Sequence, residues 1–318
     1  MIIFFGFFAI VSTLCASFQD AEFERICVSV GDICHPTLEE YRLIEDYLVS
    51  GKRLYLDILR KSDQYEIYQE RLKSISNFRL VGSGHHSPIF EDHILNGGDA
   101  SRCILLYSSS NGIYPMKAAK LLSEIEDSGY KGQLLLRIGG FPNTPNGGLQ
   151  ICDVPYSFKV AFLQEAKLLG FKKILWIDLA IHPLSGFDTC FQEIERTGYF
   201  FTTVGKLAEN PESHLPQAAE ALGIAADLYD RIPHLSSCMI GLNVENKTAL
   251  QLLENWYRET EKGFPCMTWW PEELSLSVVS WRLGCAPTAP LGNLVCIEHE
   301  QFQLENRPDV EFYLDAKR

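Results

Sequence analysis

The chain has 318 residues, 46% hydrophobic and 22% charged, enough apolar mass for one large globular core plus an appendage. A net charge of −13 with no Lys/Arg run excludes a nucleic-acid backbone and an anionic membrane surface as partners. Ten cysteines occur without one C-x-x-C, so they form no metal-binding pattern.

At the N-terminus, "MIIFFGFFAIVSTLCAS" is apolar from Ile2 to Leu14, reaches small residues at Ala16 and Ser17, and meets its first charge at Asp20. It has the form of a signal-peptide h-region without a basic n-region, and is short of the roughly 20 residues of a membrane span. A cleaved export signal, an uncleaved anchor and an apolar N-terminal strand all remain open for residues 1–17. The expected location is exported or lumenal, or membrane-anchored through this segment. Cys27 and Cys34 are the closest cysteine pair and the disulfide candidate in an oxidising compartment.

Residues 18–98 read as a helical N-terminal region. "PTLEEYRLIEDYL" opens with a Thr37/Glu40 capping-box pattern and carries apolar residues at helical spacing. "VGSGHHSPIFEDHILNGGDAS" then breaks the periodicity with Gly and Pro, predicting a long loop or boundary, with His85 and His86 as a solvated pair.

Residues 99–318 read as an α/β domain. "CILLYSSSNG", "QLLLRIGG", "KILWID" and "YFFTTVG" are predicted strands. Between them lie the predicted helices "YPMKAAKLLSEIEDSGYKG", "VPYSFKVAFLQEAKLLGF" and "GFDTCFQEIERTG". The strands are continuously apolar, as strands covered on both faces are, and the alternation predicts a mainly parallel mixed sheet with helices on both faces. Further on, "NPESHLPQAAEALG" holds a short helix and "LSSCMIGLNV" a strand. The helices "NKTALQLLENWYRETEKG" and "WWPEELSLSVVSWRLG" follow, and "LGNLVCIEHE" is the last strand expected.

In open α/β sheets ligands lie beyond the carboxyl ends of parallel strands, where Asp178 ends "KKILWID". An aspartate there either caps a loop or faces a ligand. Lys159, near the start of its helix, is either a surface lysine or an anion partner at a helix N-terminus. Glu272 and Glu273 suit the helix macrodipole in any case, and can also act as a general base. Trp269 and Trp270 are either core or a platform for a sugar face. No G-x-G-x-x-G, G-x-x-x-x-G-K-[ST] or G-x-S-x-G occurs.

The order of these segments resembles GT-A-type nucleotide-sugar glycosyltransferases from about Cys103 to Gly284. "KILWIDLAIHPL" is similar to their central aspartate segment, "CILLYSSSNG" with its helix and "QLLLRIGG" to their nucleotide-binding unit, and "SSCMIGLNVENKTALQLLENW" to their acceptor-side strand and helix. The resemblance implies a transferase moving a sugar from a nucleotide-diphosphate donor to an acceptor hydroxyl of a glycan, lipid or protein. It implies donor contacts from Ser108, Ser109, Asn111, Lys159 and Asp178, acceptor contacts from Gly241, Asn243, Trp269 and Trp270, and a base at Glu272 or Glu273. The family's D-x-D is here Asp178-Leu179-Ala180, so the second carboxylate for Mn²⁺ or Mg²⁺ is missing. His182 and His299 are substitute ligands the resemblance allows; Lys159 neutralising the diphosphate without metal is another solution. A catalytically inactive sugar- or partner-binding relative of the same fold is the alternative reading, and a nucleotidyltransferase a third, disfavoured by the lack of a Gly-rich basic loop.

Overall fold

A computed structural model describes residues 89–108, 113–139, 151, 154, 156–210, 216–262, 271–297 and 310–314. The leader, the Cys27–Cys34 pair, the 37–40 capping box, His85, His86, Ser109, Asn111, Trp269, Trp270 and His299 lie outside the described residues.

Seven strands form the main sheet in the order β1-β3-β2-β4-β7-β6-β8. They are β1 (Ile89–Leu95), β2 (Asp99–Ser108), β3 (Gly132–Ile138), β4 (Lys173–Ile177), β6 (Tyr199–Lys206), β7 (Pro233–Asn243) and β8 (Ala289–Pro290). A second sheet of three strands, in the order β5-β10-β9, is built from β5 (Ile181–Pro183), β9 (Val295–Ile297) and β10 (Phe312–Leu314). In the main sheet β3, β2, β4, β6 and β8 share one direction, while β1 and β7 oppose it. The sheet is therefore mixed and mostly parallel.

Helices cover both faces. On one side α1 (Tyr114–Asp127) and α3 (Asp188–Thr197) pack on Ile104, Leu106, Leu175 and Ile177. On the other α2 (Phe158–Leu168), α5 (Lys247–Glu261) and α6 (Pro271–Arg282) pack on Leu105, Ile174, Trp176 and Ile240. The two-residue period of a strand sorts the side chains: Leu175 and Ile177 go to the α1 face, Ile174 and Trp176 to the α2 face. Burial of such side chains contributes roughly 1.5–3 kcal/mol each. The helix periodicity is visible in α1, whose buried Ala118, Leu121 and Ile125 form one stripe. In α5 the Asn246 side chain caps the helix, accepting hydrogen bonds from the Thr248 and Ala249 amides at 2.9 and 3.2 Å.

Between β6 and β7 the chain makes an excursion through two 3-10 turns (Leu207–Glu209 and Ala226–Arg231) and α4 (Pro216–Ala221). A small core holds it, in which Leu207, Ala218, Leu222 and Ile232 meet Leu274 and Val278 of α6. The short α7 (Leu291–Leu294) leads into β9.

Two sequence expectations are corrected. First, "IFEDHIL", read as loop, is the edge strand β1 and pairs antiparallel with all of β3. Its polar residues suit an edge. Buried Arg137 of β3 also pins it, donating to Asp92 Oδ1 at 2.9 Å and lying 5.0 Å over the Phe90 ring. "NGGD" swings the chain round the start of β3: Asn96 and Gly97 have φ of 52° and 63°, and a Cβ on Gly98 would strike the Lys131–Gly132 backbone. Second, "LGNLVCIEHE" does not end the strand set, since β10 follows it. The "IHP" run after Asp178 forms β5, which pairs with β10, Tyr313 opposite His182.

Candidate active site

Asp178 follows β4 directly, and the strand's alternation puts it on the Trp176 side, facing α2 and α6. The indole Nε1 of Trp176 donates to Asp178 Oδ1 at 2.8 Å. Lys159, the second residue of α2, reaches in from the helix above and donates to Asp178 Oδ2 at 3.0 Å. Its ammonium lies 2.8 Å from Glu272 Oε1 and donates to the backbone oxygen and Oγ of Ser237 at 3.1 and 2.9 Å. Ser237 Oγ donates to Glu272 Oε1 at 2.6 Å. Glu273 accepts from the Ser237 amide at 2.9 Å and lies 3.1 Å from His234 Nε2. Four segments thus meet in one charged cluster beyond the carboxyl end of β4.

Ser237 reaches the cluster through an irregularity in β7. Phe201 of β6 faces Ile240, so an unbroken ladder would set Thr202 opposite Met239; it sits opposite Ser236 instead. The intervening residues of β7 form a bulge at the carboxyl end of β4, where the Asp178 amide donates to the Cys238 carbonyl at 2.9 Å. Bulges redirect side chains, and this one puts Ser237 on the α2/α6 face beside Asp178.

Burial grades the cluster. The Lys159 side chain is 2% exposed and Glu272 7%, whereas Asp178 is 29% exposed and forms the opening to solvent. Burial opposes the charge on Lys159, but the carboxylates of Asp178 and Glu272 outweigh it and hold the ammonium's pKa above its ordinary value. With three N–H groups facing four oxygens of Asp178, Glu272 and Ser237, the ammonium has no donor left over. Two buried atoms here have no partner among the described residues, Glu272 Oε2 and His234 Nδ1. Burial, then the charge of Asp178, pushes the Cys238 thiol up to about 12.

The predicted site residues separate into three groups. Asp178, Lys159, Glu272 and Glu273 come together. Ser108 ends β2 at the same edge, 1% exposed, but its parity with Ile104 and Leu106 sets it on the α1 face. Gly241 and Asn243 lie apart from the cluster. Because β7 runs antiparallel to β4, Asn243 pairs with Lys173 at the far end of the strand and Gly241 with Leu175 mid-strand. A Cβ on Gly241 would meet Ile194 at 2.6 Å, a packing reason for glycine. His182 is likewise removed: β5 carries it to the α1 face, where its Nδ1 lies 2.5 Å from Glu124 Oε2. The diphosphate role expected of Lys159 meets an ammonium already saturated within the protein.

Sequence reasoning missed Trp176, His234 and Ser237. The signals were there, in the same-face spacing of Trp176 and Asp178 and in the polar interruption "HLSSC" of an apolar strand. The expected second ligand for a divalent cation is absent at Ala180, and among the described residues no group of three or more His, Cys, Asp or Glu is placed to hold a metal ion. Among them, too, no helix is long and apolar enough to cross a membrane.

No protein family matches the chain by sequence, and no curated protein does. Glycosyltransferases are among the solved structures to which the fold is similar. One is a galactosyltransferase, LgtC, in complex with donor and acceptor sugar analogues, at 9% identity and TM-score 0.44, covering 68% of this chain and 87% of that one. A glycosyltransferase involved in glycosylation of the major capsid of PBCV-1 matches at 16% identity and TM-score 0.43, over 68% and 94%. Mouse xyloside xylosyltransferase 1, in its apo form, matches at 10% identity and TM-score 0.42, over 69% and 98%.

Proposed function

We propose that the chain is a glycosyltransferase, taking a sugar from a nucleotide-diphosphate donor to an acceptor hydroxyl. The observation carrying this reading is the half-open Asp178 beyond the carboxyl end of β4, with buried carboxylates behind it. A carboxylate there accepts hydrogen bonds from sugar or ribose hydroxyls, and Trp176 and Lys159 fix its orientation. Of the two glutamates, Glu272 keeps a buried oxygen, Oε2, without a partner among the described residues, and is the one able to receive a hydroxyl proton. Glu273 is held on both oxygens by Ser237 and His234 and orients the cluster. The N-terminal apolar segment would deliver the protein to a lumen or to the exterior.

Thermal stability of the purified protein against a panel of nucleotide sugars, wild type beside Asp178→Asn, tests the reading. A donor at 100 times its Kd adds about 2.7 kcal/mol. Stabilisation by one donor, lost in the variant, is expected. A well-folded protein indifferent to every donor would favour the second reading, a non-catalytic binding relative. The missing acid at Ala180 and the saturated Lys159 motivate that alternative.

A further inference from the structure

Glycosyltransfer from a diphosphate donor commonly uses a divalent cation held between carboxylates. The residues present here do not fit one. A hard cation needs several oxygens at about 2.0–2.6 Å. Position 180 is alanine, and the two carboxylate oxygens that converge, Asp178 Oδ2 and Glu272 Oε1, converge on an ammonium at 3.0 and 2.8 Å. The other Asp178 oxygen is taken by the Trp176 indole at 2.8 Å. A dication at this pair would meet a buried like charge that has nowhere to go: Lys159 is fixed also by both Ser237 oxygens, and α2 is buried around it.

We propose that Lys159 is the resident cation of the Asp178–Glu272 pair, standing where a divalent metal would stand, and that the pair takes no divalent metal. The ammonium contributes one fixed positive charge that cannot dissociate, so the cluster keeps its geometry at any metal concentration. As a consequence, which rests on the donor-site reading above, a nucleotide sugar binds equally well in chelator and in Mn²⁺.

The test is Mn²⁺ binding by the full chain without nucleotide, read from the loss of the free-ion signal in electron paramagnetic resonance. Wild type, Asp178→Asn and Lys159→Met are compared. Wild type is expected to bind no Mn²⁺ that Asp178→Asn abolishes. Folded Lys159→Met, with the carboxylates uncovered, is expected to bind Mn²⁺ where wild type shows no such binding. Stoichiometric Mn²⁺ on wild type, lost in Asp178→Asn, overturns the proposal, and so does a folded Lys159→Met with no gain in affinity. If Lys159→Met does not fold, the comparison of wild type with Asp178→Asn decides alone. No nucleotide enters these titrations, so a failure of donor binding leaves their outcome intact and the two readings fail separately.

Discussion

Replacing Lys159 by methionine keeps most of the side-chain volume and removes only the ammonium, so its cost is mainly electrostatic. Two carboxylates lose their partner, but not equally. Asp178, 29% exposed, can rehydrate and is discounted for screening. Glu272, 7% exposed, cannot, and one orphaned buried charge costs about 3–5 kcal/mol. For a domain of this size that lowers Tm by roughly 10 °C. A second substitution separates this from simple packing loss. In wild type the Lys159 pKa is raised, so its contribution is fully present below the ordinary value of 10.5 and is lost only as pH rises through the higher folded value. Wild type therefore keeps this contribution undiminished through neutral pH. In the variant that contribution is missing and the orphaned Glu272 charge carries the deficit, so removing that charge with Glu272→Gln recovers part of the lost stability at both pH values. Urea denaturation of wild type and variant at pH 5 and pH 8, with Lys159→Met/Glu272→Gln as a third chain, measures this. A loss under about 1 kcal/mol, the same at both pH values, would refute a buried bridge, giving instead the energetics of a surface ion pair.

Other outcomes follow from single contacts. Asn246→Ala removes both cap bonds of α5 and should lower stability by about 1 kcal/mol in the same denaturation assay, whereas Asn246→Asp should be close to neutral. Gly241→Ala drives a methyl to 2.6 Å from Ile194 and 2.7 Å from Phe200, and overpacking should cost about 1–3 kcal/mol by thermal unfolding. Cys238, with its thiol pushed up to about 12, should resist alkylation at pH 8 by more than about a hundredfold relative to a free cysteine, as followed by peptide mass spectrometry, with the rate still rising at pH 10.

Much of the sheet was readable because its signals are local. Continuous apolar runs ending in Asp178 or Ser108 mark covered strands, and the Ala118–Leu121–Ile125 stripe marks a covering helix. What escaped depends on distant partners. β1 looked like loop because an edge strand tolerates "EDH", and its pairing with β3, with Arg137 45 residues from Asp92, is not visible locally. The direction of β7 is not written in "LSSCMIGLNV", since an apolar strand reads alike either way, and neither is the end at which Asn243 lies. Asp178, Lys159 and the glutamates were found as separate candidates, each with a structural explanation of its own. That they form one cluster follows from a bulge in β7 and from Ser237, 78 residues from Lys159. Residue spacing along the chain carries no trace of such a meeting.

The excursion between β6 and β7 looks peripheral, yet its small core is shared with Leu274 and Val278, two and six residues along α6 from Glu272. That helix is gripped on its other side by Leu235, whose amide donates to Ser277 Oγ at 2.9 Å, and by the Trp256 indole, which donates to Ser275 Oγ. Leu207, Ala218, Leu222 and Ile232 thus brace the helix that carries the buried carboxylate.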